Sequence, residues 1–316
     1  MDALPIPFGW YQAAWSDELP PGGVHGFRLG EHDLVAFRGA SGKVSILDAA
    51  CPHLGADLGG GCVRGEQLQC PFHAWQFAAD GRCVVVPHAK KISPKAKLRA
   101  WPTCEVDGQI MVWYAPEGLA PSYELSGVPE LREGRWSRAL TRSWQVAVDV
   151  QDQAENIFDA AHFQPVHGTQ HAVELEAAFE GPRATSSYTN RVRFVGREFS
   201  VDGEFRMVGP DYTISAVQSV RQIILVVATQ PLAPGDTLIH MSVWVRRTLN
   251  LPLDLLLERL LADRVVVDFE KDVAIWQRKV HQARPLLSSA DGPIMAYRRW
   301  FQQFYAPAPA GTMPPQ

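Results

Sequence analysis

The chain has 316 residues, 46% of them hydrophobic and 20% charged, with a formal net charge of −4 at pH 7. That length suits about two domains of ordinary size, and the apolar share is ample for sizeable cores. A slightly acidic chain without a basic footprint argues against nucleic acid as a partner, and its longest apolar runs, such as Ile223–Ala228, are too short to span a bilayer.

The opening, MDALPIPFGWYQ, lacks a basic and apolar leader, so a cytoplasmic protein with no membrane attachment is the expectation. An aromatic segment (Phe8, Trp10, Tyr11, Trp15) leads into short β-type runs at Val24–Leu29, Leu34–Arg38 and Val44–Leu47, separated by Gly30, Gly39 and Gly42. Further runs fall at Gln67–Cys70, Trp75–Phe77, Val84–Val86 and Ile110–Tyr114, with Asp80-Gly81 and Asp107-Gly108 as turns. Many short strands with Asp-Gly turns predict a small all-β domain over residues 1–118.

Within it, Cys51-Pro-His53 is followed, after 16 residues, by Cys70-Pro-Phe-His73. Two thiolates and two imidazoles are the ligand set of a Rieske [2Fe–2S] cluster, the thiolates on one iron and the histidines on the other. Each short loop then supplies one ligand to each iron, and the ligands fall between strands. The alternative is a structural Cys₂His₂ zinc site, although zinc motifs usually pair Cys with Cys and His with His. Cys62, Cys83 and Cys104 form an odd, scattered remainder, read as small buried hydrophobes in a reducing compartment rather than a disulfide framework.

The run CPHLGADLGGGCVRGEQLQCPFHAWQFAADGRC closely resembles the N-terminal domain of Rieske non-haem iron oxygenases. It is less similar to respiratory-complex Rieske proteins, which add a cysteine to each cluster loop. Here Gly55 or Ala56 and Phe72 stand at the comparable places. A small Rieske ferredoxin would end near residue 115, leaving most of the chain unexplained.

Ala115–Arg135, rich in Pro, Gly and Glu, is the expected linker, and Arg138–Val150 a strand. The next stretch runs Glu155-Asn-Ile-Phe-Asp159-Ala-Ala-His162-Phe-Gln-Pro165-Val-His167-Gly168. On a helix Asn156, Asp159 and His162 share one face, and a bend at Pro165 would bring His167 beside His162. Two imidazoles and a carboxylate form the facial triad of non-haem Fe(II) oxygenases. Alone, the spacing also fits ordinary helix-end residues. The stretch resembles the Asn-x-x-Asp-x-x-His-x₄-His motif of the Rieske oxygenases at every defining position. That resemblance implies that His162 and His167 bind iron and that Asn156 lies near it. It also implies that Asp159 links His162 to His73 of a neighbouring subunit.

Alternating segments at Asn190–Val195, Glu198–Val208, Tyr212–Val220, Gln222–Thr229 and Leu238–Arg247 predict a large antiparallel sheet with one face covered. A helical pattern follows from about Pro252 to Ala283. A curved sheet around a long helix matches the helix-grip catalytic domain that the resemblance implies, enclosing an apolar pocket. The third iron ligand is placed at Asp272, with Asp268 second, because Asp268–Gln277 resembles the family's late acidic stretch. Apolar residues at Ile294, Tyr297, Phe301, Phe304 and Tyr305 have helical spacing. That run resembles the end of ketosteroid hydroxylases and cholesterol desaturases, a branch of the same oxygenases. The tail Ala306–Gln316, rich in Pro and Ala, is expected to be disordered.

The sequence therefore predicts an α+β protein, with an all-β Rieske domain over 1–118 and a mononuclear-iron catalytic domain over 119–316. The resemblance implies a homotrimeric terminal oxygenase with a [2Fe–2S] cluster, Fe(II) and O₂ as co-substrate. Electrons from NAD(P)H would arrive through a separate reductase or ferredoxin, since no Rossmann or flavin fingerprint is present. The expected substrate is a small, bulky apolar molecule, steroid-like by the C-terminal resemblance. Aromatic or alkaloid-type oxidation, or a Rieske electron carrier with an inactive second domain, are the alternatives.

Overall fold

The computed structural model describes residues 3–116, 118–169, 173–194, 197–218, 221–248 and 251–305. They divide into two units: Trp10–Gly127, and Val128 onward together with the N-terminal residues up to Gly9. The division falls at Gly127/Val128, within the Pro/Gly-rich stretch from Ala115 to Arg135.

In the first unit the short β-type runs form β1 (Gly9–Trp15), β2 (Val24–Leu29), β3 (His32–Arg38), β4 (Val44–Asp48), β5 (Cys62–Arg64) and β6 (Gln67–Gln69). They continue as β7 (Gln76–Phe77), β8 (Cys83–Val85), β9 (Ala100–Trp101), β10 (Thr103–Val106) and β11 (Gln109–Tyr114). These make three small sheets, ordered β1-β11-β10, β2-β3-β4-β9 and β5-β6-β7-β8. The aromatic opening segment is itself a strand, β1, buried along its whole length. Alternation did not reveal it, because both of its faces are covered. Val35, Phe37, Leu47, Leu68 and Phe77 form a core against which Cys51 and Cys70 are buried.

Arg38, at the end of β3, would be a costly buried charge without partners. Its guanidinium forks onto both Glu105 oxygens at 2.7 and 2.9 Å and donates to the carbonyls of Leu19, Gly42 and Ser16. Arg38 holds the Glu105 carboxyl below its ordinary range, against the opposing effect of burial. All five cysteines are free thiols; Cys83 is buried, whereas Cys62 and Cys104 are half-buried rather than core residues.

The second unit holds α1 (Pro129–Arg132), β12 (Trp136–Val146), α2 (Val150–Ala154), α3 (Phe163–His167), β13 (Glu176–Glu180) and β14 (Arg183–Phe194). It continues with β15 (Arg197–Val208), β16 (Tyr212–Gln218), β17 (Gln222–Ala233), β18 (Asp236–Arg246), α4 (Leu251–Trp276) and α5 (Ile294–Phe301). One seven-stranded antiparallel sheet runs β12-β18-β17-β16-β15-β14-β13. The long helix α4 lays Ala262, Val266 and Trp276 onto Val227, Met241 and Val243 of the sheet, the helix-grip arrangement. Burying such aliphatic side chains stabilises the layer by about 1.5–3 kcal/mol each.

Three expectations change. Residues 155–168 are not one bent helix. A 3₁₀ turn at Glu155–Phe158 follows α2, Asp159 is extended (φ −92°, ψ 103°), and α3 begins afresh at Phe163. Pro165 does not make the bend: it sits in the first turn of α3, where no helical N–H partner is needed. Helix α4 ends at Trp276, short of Ala283. The tail from Ala306 to Gln316 lies outside the described residues.

Candidate functional site

The two cysteine–histidine loops are built alike. The Cys51 N–H donates to Ala56 O at 2.9 Å, and the Gly55 N–H returns to Cys51 O at 2.9 Å. In the second loop the Cys70 N–H donates to Trp75 O at 2.8 Å, and the Ala74 N–H returns to Cys70 O at 3.2 Å. The fourth residue after the loop cysteine's own position is left-handed in both, Gly55 at φ 76° and Ala74 at φ 56°. This turn leaves the cysteines buried and turns His53 and His73 outward, with ring centroids 4.6 Å apart. Trp75 stacks on His53 at 4.5 Å and an 8° interplanar angle, fixing that ring.

Burial pushes the Cys51 thiol up to about 11, and the neighbouring Cys70 thiol adds to the rise. Two buried sulfurs backed by two exposed imidazoles fit a cluster with thiolates on an inner iron and histidines on an outer one. Phe72 and Leu54, 62% and 66% exposed, flank the histidine edge.

In the second unit, His162, His167 and Asp272 meet, each offering an atom within 4.8 Å of the others. Among the described residues this is the one such group of three. Two helices distant in the chain, α3 and α4, supply it. His162 lies just ahead of α3, His167 ends α3, and Gly168 (φ 70°) caps that helix by donating to Gln164 O. Asp272 comes from the last turns of α4.

His162 is oriented from behind. Its Nδ1 lies 2.6 Å from the Asp159 main-chain oxygen, which can only accept, so Nδ1 carries the proton and Nε2 the lone pair. The Asn156 amide donates to that lone pair at 3.2 Å. Burial lowers the His162 pKa below its ordinary value, which keeps the ring neutral. The Asp159 carboxylate lies 3.7 Å from Nδ1, too far for a hydrogen bond. Its Oδ1 accepts from the Ala161 N–H at 3.0 Å, and the side chain is one-third exposed.

His167 sits between two carboxylates, with Nδ1 3.1 Å from Asp268 Oδ2 and Nε2 3.4 Å from Asp272 Oδ2. Nδ1 is off the line of a hydrogen bond, and Asp272 Oδ1 is buried without a partner. Burial alone would depress the His167 pKa, but Asp268 and Asp272 outweigh it and raise it to about 9. Asp268 is 45% exposed and paired with Lys271 at 2.7 Å, whereas Asp272 is 8% exposed. A buried carboxylate with an orphaned oxygen beside two imidazoles fits a cation, and two nitrogens with one oxygen suit non-haem Fe(II).

This triangle opens on a cavity of about 300 Å³ between sheet and α4. Phe205, Leu225, Val227 and Phe269 make it largely apolar, while Thr213 and Ser215 place hydroxyls on its sheet wall. Tyr188 forms another wall, its ring lying over Gly203, where a Cβ would stand 2.3 Å from the ring. The sequence did not identify these cavity residues: alternation marks which side chains share a face, not which face looks inward.

Residues 9–102 match the Rieske [2Fe–2S] domain, and residues 112–305 match the 3-ketosteroid 9α-hydroxylase C-terminal domain. The first match decides between iron–sulfur and zinc. A probable 3-ketosteroid-9-alpha-monooxygenase oxygenase component of Rhodococcus rhodochrous is 31% identical, over 94% of this chain and 79% of that protein. A cholesterol 7-desaturase of Xenopus laevis is 30% identical, over 95% and 72%. Dicamba monooxygenase bound to dicamba shares the fold at a TM-score of 0.73 and 20% identity, over 94% of this chain and 96% of that one. The Pseudomonas putida protein NdmA with caffeine also has a TM-score of 0.73, at 18% identity over 93% and 89%. With its cluster domain, its helix-grip domain and these relatives, the chain belongs to the Rieske non-haem iron oxygenases, in the branch that carries the 3-ketosteroid 9α-hydroxylase C-terminal domain.

Proposed function

We propose that this oxidoreductase is the terminal oxygenase of a multi-component system, with Cys51, His53, Cys70 and His73 holding its [2Fe–2S] cluster. His162, His167 and Asp272 hold its Fe(II), and the substrate lies in the adjoining apolar cavity. The observation that carries this reading is the buried His162–His167–Asp272 triangle facing that cavity. When bound, the cluster supplies single electrons and the iron supplies O₂ activation for hydroxylation, demethylation or desaturation.

The chain's own residues orient and exclude. Asp159 O fixes the His162 tautomer, so that Nε2 is the nitrogen offered to iron in place of the Asn156 amide it meets here, and Asp268 faces the far nitrogen of His167. Phe205, Leu225 and Phe269 shed water from the substrate, while Thr213 and Ser215 offer hydrogen bonds to an oxygen function on it. The Asp159 carboxylate, one-third exposed, is suited to receive an imidazole of a neighbouring subunit.

The assembly we propose is a cytoplasmic homotrimer fed from NAD(P)H, with a separate reductase because the relatives are named as oxygenase components. No helix among the described residues is long and apolar enough to cross a membrane. The substrate class we favour is a steroid-like polycycle, because the relatives matched over most of their length are named for steroids.

A product screen tests this. Iron-replete protein with a surrogate reductase, NADH and O₂ is offered steroids, methoxyaromatics and heteroaromatic amines, with His162→Ala as the blank. Oxidation of a steroid, absent in the blank, is expected. Steroids left intact while a smaller aromatic is oxidised would overturn the substrate class and keep the oxygenase. Iron content tests the electron-carrier alternative: an oxygenase holds about three irons per two acid-labile sulfides, a carrier about two.

A further inference from the structure

The segment that presents Asn156 and His162 cannot hold its own shape. It consists of the five-residue α2, one 3₁₀ turn and an extended Asp159. Isolated helices this short do not persist in water. Its position must come from contacts elsewhere, and these converge from the strip of chain after α4.

Arg298 of α5 is 8% exposed, as is fitting for a buried cation only if fully paired. Its Nε and Nη2 donate to the two oxygens of Glu155, at 2.5 and 3.1 Å, and its Nη1 donates to Gln282 O at 2.6 Å. Glu155 is the residue before Asn156. Lys279 stands 3.5 Å from Glu155 and donates to Asp152 O at 3.0 Å, and His281 Nδ1 meets the Asp152 carboxylate at 3.0 Å. The Tyr297 hydroxyl donates to Gln151 O at 2.9 Å, and its ring stacks on Phe158 at 4.8 Å. Gly292 is left-handed at φ 74°, and a Cβ there would stand 2.7 Å from Phe158 O and 3.3 Å from Ala160 N. The strip therefore grips the segment on both sides of Asn156, and backs onto the residues flanking Asp159.

We infer that Arg298 is a positioning residue of the iron site: its fork on Glu155 sets where Asn156 and His162 stand. Helix α5 is thus a working part of the metal centre as well as a fold element. The inference rests on the assignment of His162 as an iron ligand. A planar guanidinium fixes both distance and orientation of a carboxylate, which a lysine ammonium cannot do. Iron binding and α5 docking then favour each other, because both require the same placement of residues 155–162.

The test uses protein with its cluster in place, stripped of mononuclear iron by a chelator and titrated anaerobically with Fe(II). Arg298→Gln is expected to weaken Fe(II) binding by about 10- to 100-fold, as loss of a ligand-orienting contact does. Arg298→Lys, which keeps the charge and loses the fork, is expected to weaken it by about tenfold and decides the matter if the glutamine variant does not fold. The cluster's visible absorption stays unchanged in both. Co(II) in place of Fe(II) should show an altered ligand-field spectrum in the lysine variant. Lowered melting temperatures with wild-type Fe(II) affinity and Co(II) spectra would reduce Arg298 to a structural role and overturn the inference alone. Wild-type protein that takes up no iron beyond its cluster would overturn the iron assignment itself.

Discussion

Replacing Asp272 by Asn and, separately, Asp268 by Asn distinguishes the two carboxylates that the sequence offered as third ligand. They face opposite nitrogens of His167, Asp272 toward Nε2 and Asp268 toward Nδ1. Their combined field, net of burial, raises the His167 pKa from 6.5 to about 9, which corresponds to about 3 kcal/mol for one positive charge. A carboxylate that supplies even half of that field, acting on a divalent ion, is worth about 3 kcal/mol, or on the order of 100-fold in Fe(II) affinity. Loss of the direct ligand bond adds to this. Asp268 is 45% exposed and shares its charge with Lys271, so its removal acts through ring orientation and costs about tenfold. Anaerobic Fe(II) titration of chelator-treated, cluster-loaded protein reads both values. The reverse ranking, with Asp268→Asn losing iron and Asp272→Asn retaining it, would refute the reasoning.

Asp211, buried where β15 turns into β16, accepts from the Thr229 N–H at 2.5 Å, yet burial raises its pKa from 3.8 to about 7. A carboxyl raised in the folded state contributes stability that is complete below pH 3.8 and lost as pH rises through 7, a change of about 4 kcal/mol. Urea midpoints of the second unit should fall between pH 5 and 8 in wild type and stay level in Asp211→Asn; equal pH dependence in both would count against it. Gly203→Val should drive the Tyr188 ring into the cavity, raising KM with iron content unchanged, which steady-state kinetics and metal analysis check. Gly61→Ala places a Cβ 2.4 Å from Gln69 O, next to Cys70, and should lower cluster occupancy as read by visible absorption, with the Fe(II) site retained.

The proposed cluster ligands were legible in the sequence as a constellation because each pair is contained in one tight loop, so spacing carries the geometry. Cys51 and His53, and likewise Cys70 and His73, need no distant residue to set their relation. His162 and His167 were legible as a pair by motif, but not by the reasoning from a bent helix. The chain turns at an extended Asp159, and Pro165 is an ordinary first-turn proline. Within the subunit His162 meets the main-chain oxygen of Asp159 at 2.6 Å, while the Asp159 carboxylate stands 3.7 Å from the ring, a distinction spacing does not carry. Asp272 is joined to the histidines only by tertiary packing, so spacing could not separate it from Asp268; burial favours Asp272. Strand periodicity located the sheet, yet Tyr188, Thr213 and Ser215 emerged as cavity residues only once the inward face was known.

The two proposed metal centres thus rest on different kinds of support. The cluster loops are closed by their own main-chain hydrogen bonds, from Cys51 to Ala56 and from Cys70 to Trp75, and both cysteines pack on the core of Val35, Leu47, Leu68 and Phe77. The iron triangle has no such local closure. His162 depends on a segment gripped by Arg298, Tyr297 and Gly292, and Asp272 depends on the seating of α4 against the sheet. Substitutions between residues 51 and 75 therefore act on the cluster, whereas the iron site responds to residues throughout the second unit. Helix α4 both lines the cavity, through Val265, Phe269 and Trp276, and carries Asp272, so cavity wall and proposed third ligand share one element. Substitutions that unseat α4 from the sheet should therefore disturb the cavity and the position of Asp272 together.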